Sequence, residues 1–347
     1  MSEHEVGEIA PRQETRSVPA TIQAVARAAG VSKTTVSHVI SGNRPVSTTT
    51  RRRVERVMDE LGFRPNFFAQ ALTKNRSKTI ALIAQDITNP FYPALARGLQ
   101  GAAATEQHVV MLFDAGAGER LTHAFLEEAV QRRVDGVVLA VALVDGDLRQ
   151  LTDAGIPVVA VGSGLSDVLT DWVSADDRQI AVDAVRYLTS RGHSRLATIT
   201  GPPAAEPGAG RLEGFERALA NAGRTPDPRL IVAGDWTRDG GARAMRQLLE
   251  LPDRPSAVFC ANDLMAIGAV DAARSAGLDV PRDVAVVGVD DIDASSLVSP
   301  ALTTVRIPAQ AIGRAAGELL LDRIAGRAGP AVRHVLVRHS LIQRDSA

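Results

Sequence analysis

The sequence predicts two kinds of fold in one chain: a small all-α head of three short helices and, behind it, a larger α/β body built from two similar halves. Three observations predict this. Residues 20–64 carry three amphipathic helical patterns separated by cap and turn residues. From Thr79 onward, short buried apolar runs alternate with helix-length stretches, in one series and then in a second. The charge divides at the same place. Between Ala20 and Lys78 eleven Lys and Arg residues stand against three acidic ones, a net of +8, which leaves −9 for the rest of a chain whose total is −1.

With 347 residues, 45% of them hydrophobic and 23% charged, the chain can bury two or three separate cores. The single Cys260 lies in the apolar run Ala257-Val258-Phe259-Cys260, which leaves no disulfide framework and no cysteine-based metal site. The opening segment, residues 1–19, carries Glu3, Glu5, Glu8 and Glu14 and lacks the apolar core of a secretory signal, so it is expected to be a disordered tail. No long uncharged apolar run follows. A cytoplasmic location, with neither export nor membrane insertion, is the expectation.

In the head, Thr21 is placed to cap a helix whose apolar residues Ile22, Val25, Ala26 and Ala29 follow the i, i+3, i+4, i+7 spacing. Gly30 follows where a left-handed residue turns the chain, and Ser32 then caps a second helix from Lys33 to about Ile40. Val36, Val39 and Ile40 share its inner face. Thr34, Ser37, His38 and Ser41 lie opposite, flanked by Lys33 and Thr35. Thr and Ser are mediocre helix formers, so several on one short helix suggest a use. Short hydroxyls approach base edges closely, and His38 or Lys33 can donate to guanine or phosphate. After the turn Asn43-Arg44-Pro45, Ser47 caps a third helix with Val54, Val57, Met58 and Leu61 on one face. Thr50 and the run Arg51-Arg52-Arg53 fall near its start, where backbone N–H groups also favour phosphate, and the arginines read as backbone clamps. Pro65 ends this helix before a two-turn piece, Asn66 to Leu72, too short to be stable alone.

The body's expected strands are Ile80 to Ala84, Val109 to Phe113, Gly136 to Ala140 and Val158 to Val161, then Leu196 to Thr200, Leu230 to Val232, Ala257 to Ala261 and Val284 to Gly288. A last strand-like segment runs from Val332 to Val337. Strands alternating with helices form parallel sheets, and two halves imply a cleft between them. Ligands in such sheets lie beyond the carboxyl ends of the strands, which singles out Asp86 to Tyr92, Gly162 to Ser166, Ala175 to Asp177, Asn262-Asp263 and Val289 to Asp291. Enzymatic readings find little support: there is no Gly-x-x-x-x-Gly-Lys-Ser/Thr loop, Gly208-Ala209-Gly210 sits in a Pro-rich context, and His193 has no nucleophile or metal partner at recognisable spacing. A solute-binding protein for transport would need a signal peptide and no basic head.

The stretch from Thr21 to Ile40, above all Thr34-Thr35-Val36-Ser37-His38-Val39-Ile40, resembles the helix-turn-helix of the lactose/galactose-repressor family, closest to its purine and ribose branch. The body shares Asn89-Pro90-Phe91-Tyr92, Arg132-Arg133-Val134-Asp135-Gly136, Arg211-Leu212-Glu213-Gly214-Phe215, Asn262-Asp263-Leu264-Met265-Ala266 and Ser299-Pro300-Ala301-Leu302-Thr303 with it. The resemblance implies an all-α helix-turn-helix DNA-binding head and an α/β body of periplasmic-binding-protein type, made of two Rossmann-like subdomains. It implies a transcription repressor without enzymatic activity or cofactor. Thr21, Ser32, Lys33, Thr34, Thr35, Ser37, His38, Asn43, Arg44, Ser47, Thr50 and Arg51 would contact a near-palindromic operator, with the first recognition-helix residues and His38 in the major groove. Asn66, Ala69 and Leu72 would belong to a hinge helix ordered on DNA, with Leu72 wedged into the minor groove. Phe91 and Tyr92 would form a stacking wall of the effector site, Asp176 and Asp290 its acceptors and Trp236 an aromatic lid, with Asn262 beside them. From their residue types alone, Asp176 and Asp290 could equally cap the next helix, and Phe91 could be core.

Several family donors are missing. Gly162-Ser163 replaces an Asp-Arg pair, Ala209 and Ala205 stand where relatives carry arginines, and Ile307 replaces a glutamine. This points to a small-molecule effector less polar than a pentose or purine base, held by aromatic walls and two or three carboxylate contacts. The expected domains are 20–64 for the head, 65–78 for hinge helix and linker, and 79–347 for the body, divided as 79–175 with 306–331 and 176–305 with 332–347. A homodimer without tetramerising heptads is expected, and induction and corepression both stay open.

Overall fold

A computed structural model of the chain describes residues 20–42, 44–64, 76–116, 119–141, 148–162, 170–202 and 206–347. These fall into two compact units that divide at residue 75. The expected tail and hinge helix lie outside the described residues.

The head is three helices, α1 (Ile22–Ala28), α2 (Lys33–Ser41) and α3 (Thr48–Glu60). Each starts where a hydroxyl meets an orphan N–H: Thr21 accepts from the Ala24 amide at 3.2 Å, Ser32 from Thr35 at 3.0 Å and Ser47 from Thr50 at 3.2 Å. Gly30, at φ +61°, makes the tight turn between α1 and α2. Val25, Ala26, Ala29, Val36, Val39, Val54 and Val57 form the core, lidded by Ile22, Ile40, Met58 and Phe63. Leu61, expected on the inner face, is 43% exposed. The helix ends one residue before it, and Phe63 folds back instead, its amide donating to the Met58 carbonyl.

The body holds two six-stranded sheets. The first has the order β11-β5-β4-β3-β1-β2, from β1 (Thr79–Ala84), β2 (Val109–Asp114), β3 (Gly136–Ala140), β4 (Val158–Val161), β5 (Asp171–Ser174) and β11 (His334–Leu336). All its pairings are parallel. The second has the order β12-β10-β9-β8-β6-β7, from β6 (Leu196–Thr200), β7 (Ile231–Ala233), β8 (Ala257–Cys260), β9 (Ala285–Asp290), β10 (Thr303–Arg306) and β12 (Ser340–Ile342). Only β12 runs antiparallel to its neighbour. The helices that place the cleft are α4 (Phe91–Thr105), α7 (Asp177–Ser190), α8 (Gly208–Asn221), α9 (Arg238–Leu249), α10 (Asp263–Ser275), α11 (Ala294–Leu297) and α12 (Ala309–Ile324); α5 (Glu119–Gln131) and α6 (Arg149–Asp153) complete the first half.

Among the described residues the chain crosses between the halves three times: from β5 to α7, from β10 to α12, and from β11 to β12. The last crossing corrects the expected division, which gave all of 332–347 to the second half. Residues 334–336 instead pair with β5, because Arg333 is drawn to that sheet by Asp171. Asp171 has no exposed side-chain surface and takes paired bonds from Arg323 at 2.7 and 3.0 Å and from Arg333 at 2.7 and 3.0 Å. In the first half α12 packs tightly on α4. A methyl group at Gly98 would overlap the Gln310 carbonyl, and one at Gly313 the Leu95 carbonyl, so only glycine lets these helices approach.

Candidate DNA interface and effector cleft

On the head, the inner face of α2 is spent on the core, which turns Lys33, Thr34 and Ser37 fully outward, with Thr35 and His38 at its margins. The Thr35 hydroxyl also lies 2.9 Å from that of Ser32, and Thr50 is matched with Ser47 in the same way, so these four side chains act first as caps. Arg44, Arg52 and Arg53 are exposed and Arg51 partly so. Among the described residues none of them, nor Lys33, has an acidic partner; only Arg56 pairs, with Glu60 at 3.7 Å. Unpaired cations beside the N-terminal ends of α2 and α3 make a surface suited to phosphate. Asn43, Asn66, Ala69 and Leu72 lie outside the described residues.

In the body, the cleft is organised by a residue that sequence reasoning passed over. Arg211, 5% exposed, lies on the inner face of α8 in the same stripe as Phe215, Ala218 and Leu219. Its Nε donates to Asp177 Oδ1 at 2.9 Å, its Nη1 donates to the Ala261 carbonyl, and its guanidinium stands 5.9 Å from the centroid of the Trp236 ring. Its Nη2 makes no hydrogen bond among the described residues. A lone arginine in an apolar helical stripe was the available signal, since a buried cation requires partners.

Across from it, Phe91 and Tyr92 open α4, their rings edge to face at 5.4 Å. Burial pushes the Tyr92 phenol up, and the charges of Asp290 and Asp86 push it further, against the opposing pull of Arg211. Tyr92 belongs to the first half, while Asp290 and Arg211 belong to the second, so the two walls face each other at close electrostatic range. Burial likewise holds the Asp290 carboxyl well above the usual carboxylate range; Arg211 opposes this, and Asp263 and Asp177 add to it. Neither the Asp290 carboxyl nor the Tyr92 hydroxyl has a hydrogen-bond partner among the described residues. Asp177 is also raised, by burial first, with Arg211 holding it down.

The remaining expected residues have other attachments. Asp176 is exposed and caps α7, accepting from the Gln179 amide at 2.9 Å. Asn262 is 1% exposed and doubly engaged: its amide donates to the Trp236 carbonyl at 2.9 Å and its side-chain oxygen caps α10 through Met265. It therefore reaches the cleft by holding Trp236, which sits at φ +68° with its indole against Gly201, where a methyl group would overlap it. Ile307 is buried in the core, Ala209 lies on the first turn of α8, and Gly162 turns at φ +108°. Ser163 and Ala205 lie outside the described residues. Among the described residues no group of three or more His, Cys, Asp or Glu could hold a metal, and no helix is long and apolar enough to cross a membrane.

A base-reading head joined to a two-halved α/β body with a polar cleft defines a ligand-responsive DNA-binding regulator. Residues 21–66 match the family of bacterial regulatory proteins, lacI family, and residues 185–347 match the periplasmic binding protein-like domain. The HTH-type transcriptional repressor CytR of Escherichia coli (strain K12) is 36% identical over 319 residues, covering 92% of this chain and 93% of the relative. The ribose operon repressor of the same organism is 38% identical, covering 88% and 93%. Among solved structures, the lac repressor dimer bound to operator and the anti-inducer ONPF has a TM-score of 0.85 at 27% identity, covering 95% of this chain and 99% of that one. The transcriptional regulator CelR in complex with cellobiose has a TM-score of 0.74 at 35% identity, covering 94% and 100%. The chain belongs to the LacI family of bacterial regulatory proteins. It is a transcriptional repressor with an effector-binding core, and the relatives it matches are repressors, not enzymes.

Proposed function

We propose that the protein binds a near-palindromic operator as a homodimer and that an uncharged, hydroxyl-bearing small molecule in the cleft sets its operator affinity. The observation that carries the effector half is the set of unspent polar groups facing one another across the two halves: Arg211 Nη2, the Asp290 carboxyl and the Tyr92 hydroxyl. A guanidinium donor, with a carboxyl and a phenol that can each donate or accept, beside the Trp236 and Phe91 rings suits a ring with hydroxyls on its edge and an apolar face. Arg211 restores a donor that the missing Asp-Arg pair and arginines seemed to remove, so the effector need not be as apolar as the sequence suggested. Solved relatives in complex with cellobiose and with ribose fit this class.

On the DNA side, Lys33, Thr34, Ser37 and His38 read bases while Arg44, Arg51, Arg52 and Arg53 hold the backbone, and Leu72 wedges the minor groove. Dimerisation is supported by apolar side chains left bare on the body. Val109 (56% exposed) and Leu112 (42%) lie on the edge strand β2, with Leu121 and Leu297 exposed elsewhere.

The test is a thermal-shift panel of free sugars, including ribose and cellobiose, and nucleosides, run on wild type and Arg211→Ala. The reading expects at least one compound to stabilise wild type and lose about tenfold or more in affinity on the variant, since a buried charged hydrogen bond is removed. Stabilisation that is equal in both proteins would contradict it.

A further inference from the structure

Asp290 and Asp291 are consecutive non-glycine residues in the left-handed region, at φ +113° and +60°. Such backbone is costly and persists only where the surroundings over-determine it. Two sets of bonds do so here. On the outside, Asp291 is gripped by Arg306 Nε at 2.6 Å and Arg344 Nη2 at 2.6 Å, and the Ile307 amide donates to the Asp290 carbonyl at 3.3 Å. On the inside stands Asp263, fully buried at the start of α10. Its Oδ2 accepts from the Ile292 amide at 3.0 Å and the Ser295 hydroxyl at 2.7 Å, and its Oδ1 accepts from the Thr304 hydroxyl at 2.6 Å. A methyl group at Gly288 would overlap the same carboxylate, so Asp263 rests directly on β9 two residues before the turn. In the outer clamp Arg306, its side chain 49% exposed, is screened by water and salt, while Arg344 at 18% and Asp291 at 7% are mostly buried. The inner one is dry, and its three donors come from the β9–α11 connection, α11 and β10.

We propose that Asp263 is the positioning residue of the cleft: without touching an effector, it fixes the left-handed Asp290–Asp291 turn and so places the Asp290 carboxyl beside Tyr92 and Arg211. The consequence for effector affinity rests on the reading of the cleft given above. Burial raises Asp263 itself to about 6, against the hydrogen bonds from Thr304, Ser295 and Ile292. Its place in the first turn of α10 offers the competing role of a helix-stabilising acid.

The two roles separate in the full-length protein without any effector. Amide exchange over residues 288–296 and a carboxyl-carbon NMR titration of Asp290 are measured on wild type, Asp263→Asn, and the charge-conserving Thr304→Val and Ser295→Ala. Positioning predicts that the Asp290–Ile292 amides exchange at least about tenfold faster in Asp263→Asn and Thr304→Val. It also predicts that Asp290 titrates lower in Thr304→Val, where the neighbouring charge of Asp263 is kept, as its carboxyl meets water, while β6 keeps its protection. Exchange that rises evenly through the body, with Asp290 titrating as in wild type, overturns the proposal and leaves Asp263 a stabilising group. If Asp263→Asn does not fold, Thr304→Val carries both readouts. Because no effector enters, a thermal-shift panel that finds no ligand would defeat the effector reading while these results still judge the turn.

Discussion

Asp171 and Asp290 are carboxylates buried in the same body with opposite settings. Burial alone would raise both. At Asp171 the hydrogen bonds from Arg323 and Arg333 outweigh it and hold the group below the usual range, whereas Asp290 has only the more distant Arg211 and stays high. The sign of each follows. Asp171 contributes stability that is present above the ordinary carboxylate pKa and is lost as pH falls through its lowered value; the Asp290 contribution is present at low pH and lost as pH rises. Replacing Asp171 by Asn strands two guanidiniums, but both are partly exposed and can rehydrate, so the cost falls near the low end for a broken buried pair, about 3 kcal/mol. Urea unfolding should show that loss near neutral pH and a smaller one in acid; an equal loss at both would refute the ionic account. The same contrast explains what could be read beforehand. Tyr92, Trp236 and Asp290 stood out by residue type and by resemblance. Arg211 did not, because its role depends on Asp177 and on a carbonyl 50 positions away.

Apart from the end of α3, where Leu61 was expected inside, the helices of the head were legible because their determinants are local: a hydroxyl cap, a 3.6-residue apolar period and a left-handed glycine. Ser47→Ala removes the acceptor for the Thr50 amide and should cost α3 about 1 kcal/mol, seen as roughly fivefold lower exchange protection along that helix; unchanged protection would show the cap idle. In the body the long buried strands were equally plain, but β5, β10 and β12 were not. β10 opens with Thr303 and Thr304, both fully buried, which reads as loop until their partners are known: Ser346 bonds the Thr303 amide and Asp263 the Thr304 hydroxyl. β5 opens on Asp171, an acid whose arginines lie some 150 residues further on. Strands whose polar residues are satisfied from far along the chain carry no local signature. For that reason the third crossing between the halves was placed a few residues early.

At the scale of the molecule, the division of charge is the feature that links fold to use. The head and linker together, residues 20–78, carry +8 and suit phosphates, and the body, residues 79–347, carries −7, which keeps the larger part from clinging to nucleic acid nonspecifically. Within the body, the cleft draws on both halves, so a ligand that bridges Tyr92 and Arg211 favours one arrangement of the three crossings over another. It shifts operator affinity only by its differential binding to those arrangements, about 1–3 kcal/mol in comparable systems. Whether the head reads sequence and is governed from the cleft is answered by fluorescence anisotropy of the full-length protein. The protein is titrated on candidate near-palindromic duplexes taken from the DNA upstream of its own gene and on a scrambled duplex, across salt and with the stabilising compound from the panel. The expected result is about a thousandfold preference for the palindrome, a steep loss of affinity with salt on both duplexes, and a compound-induced change on the palindrome that Arg211→Ala abolishes. Equal affinity for the two duplexes at every salt concentration, unmoved by the compound, would contradict it.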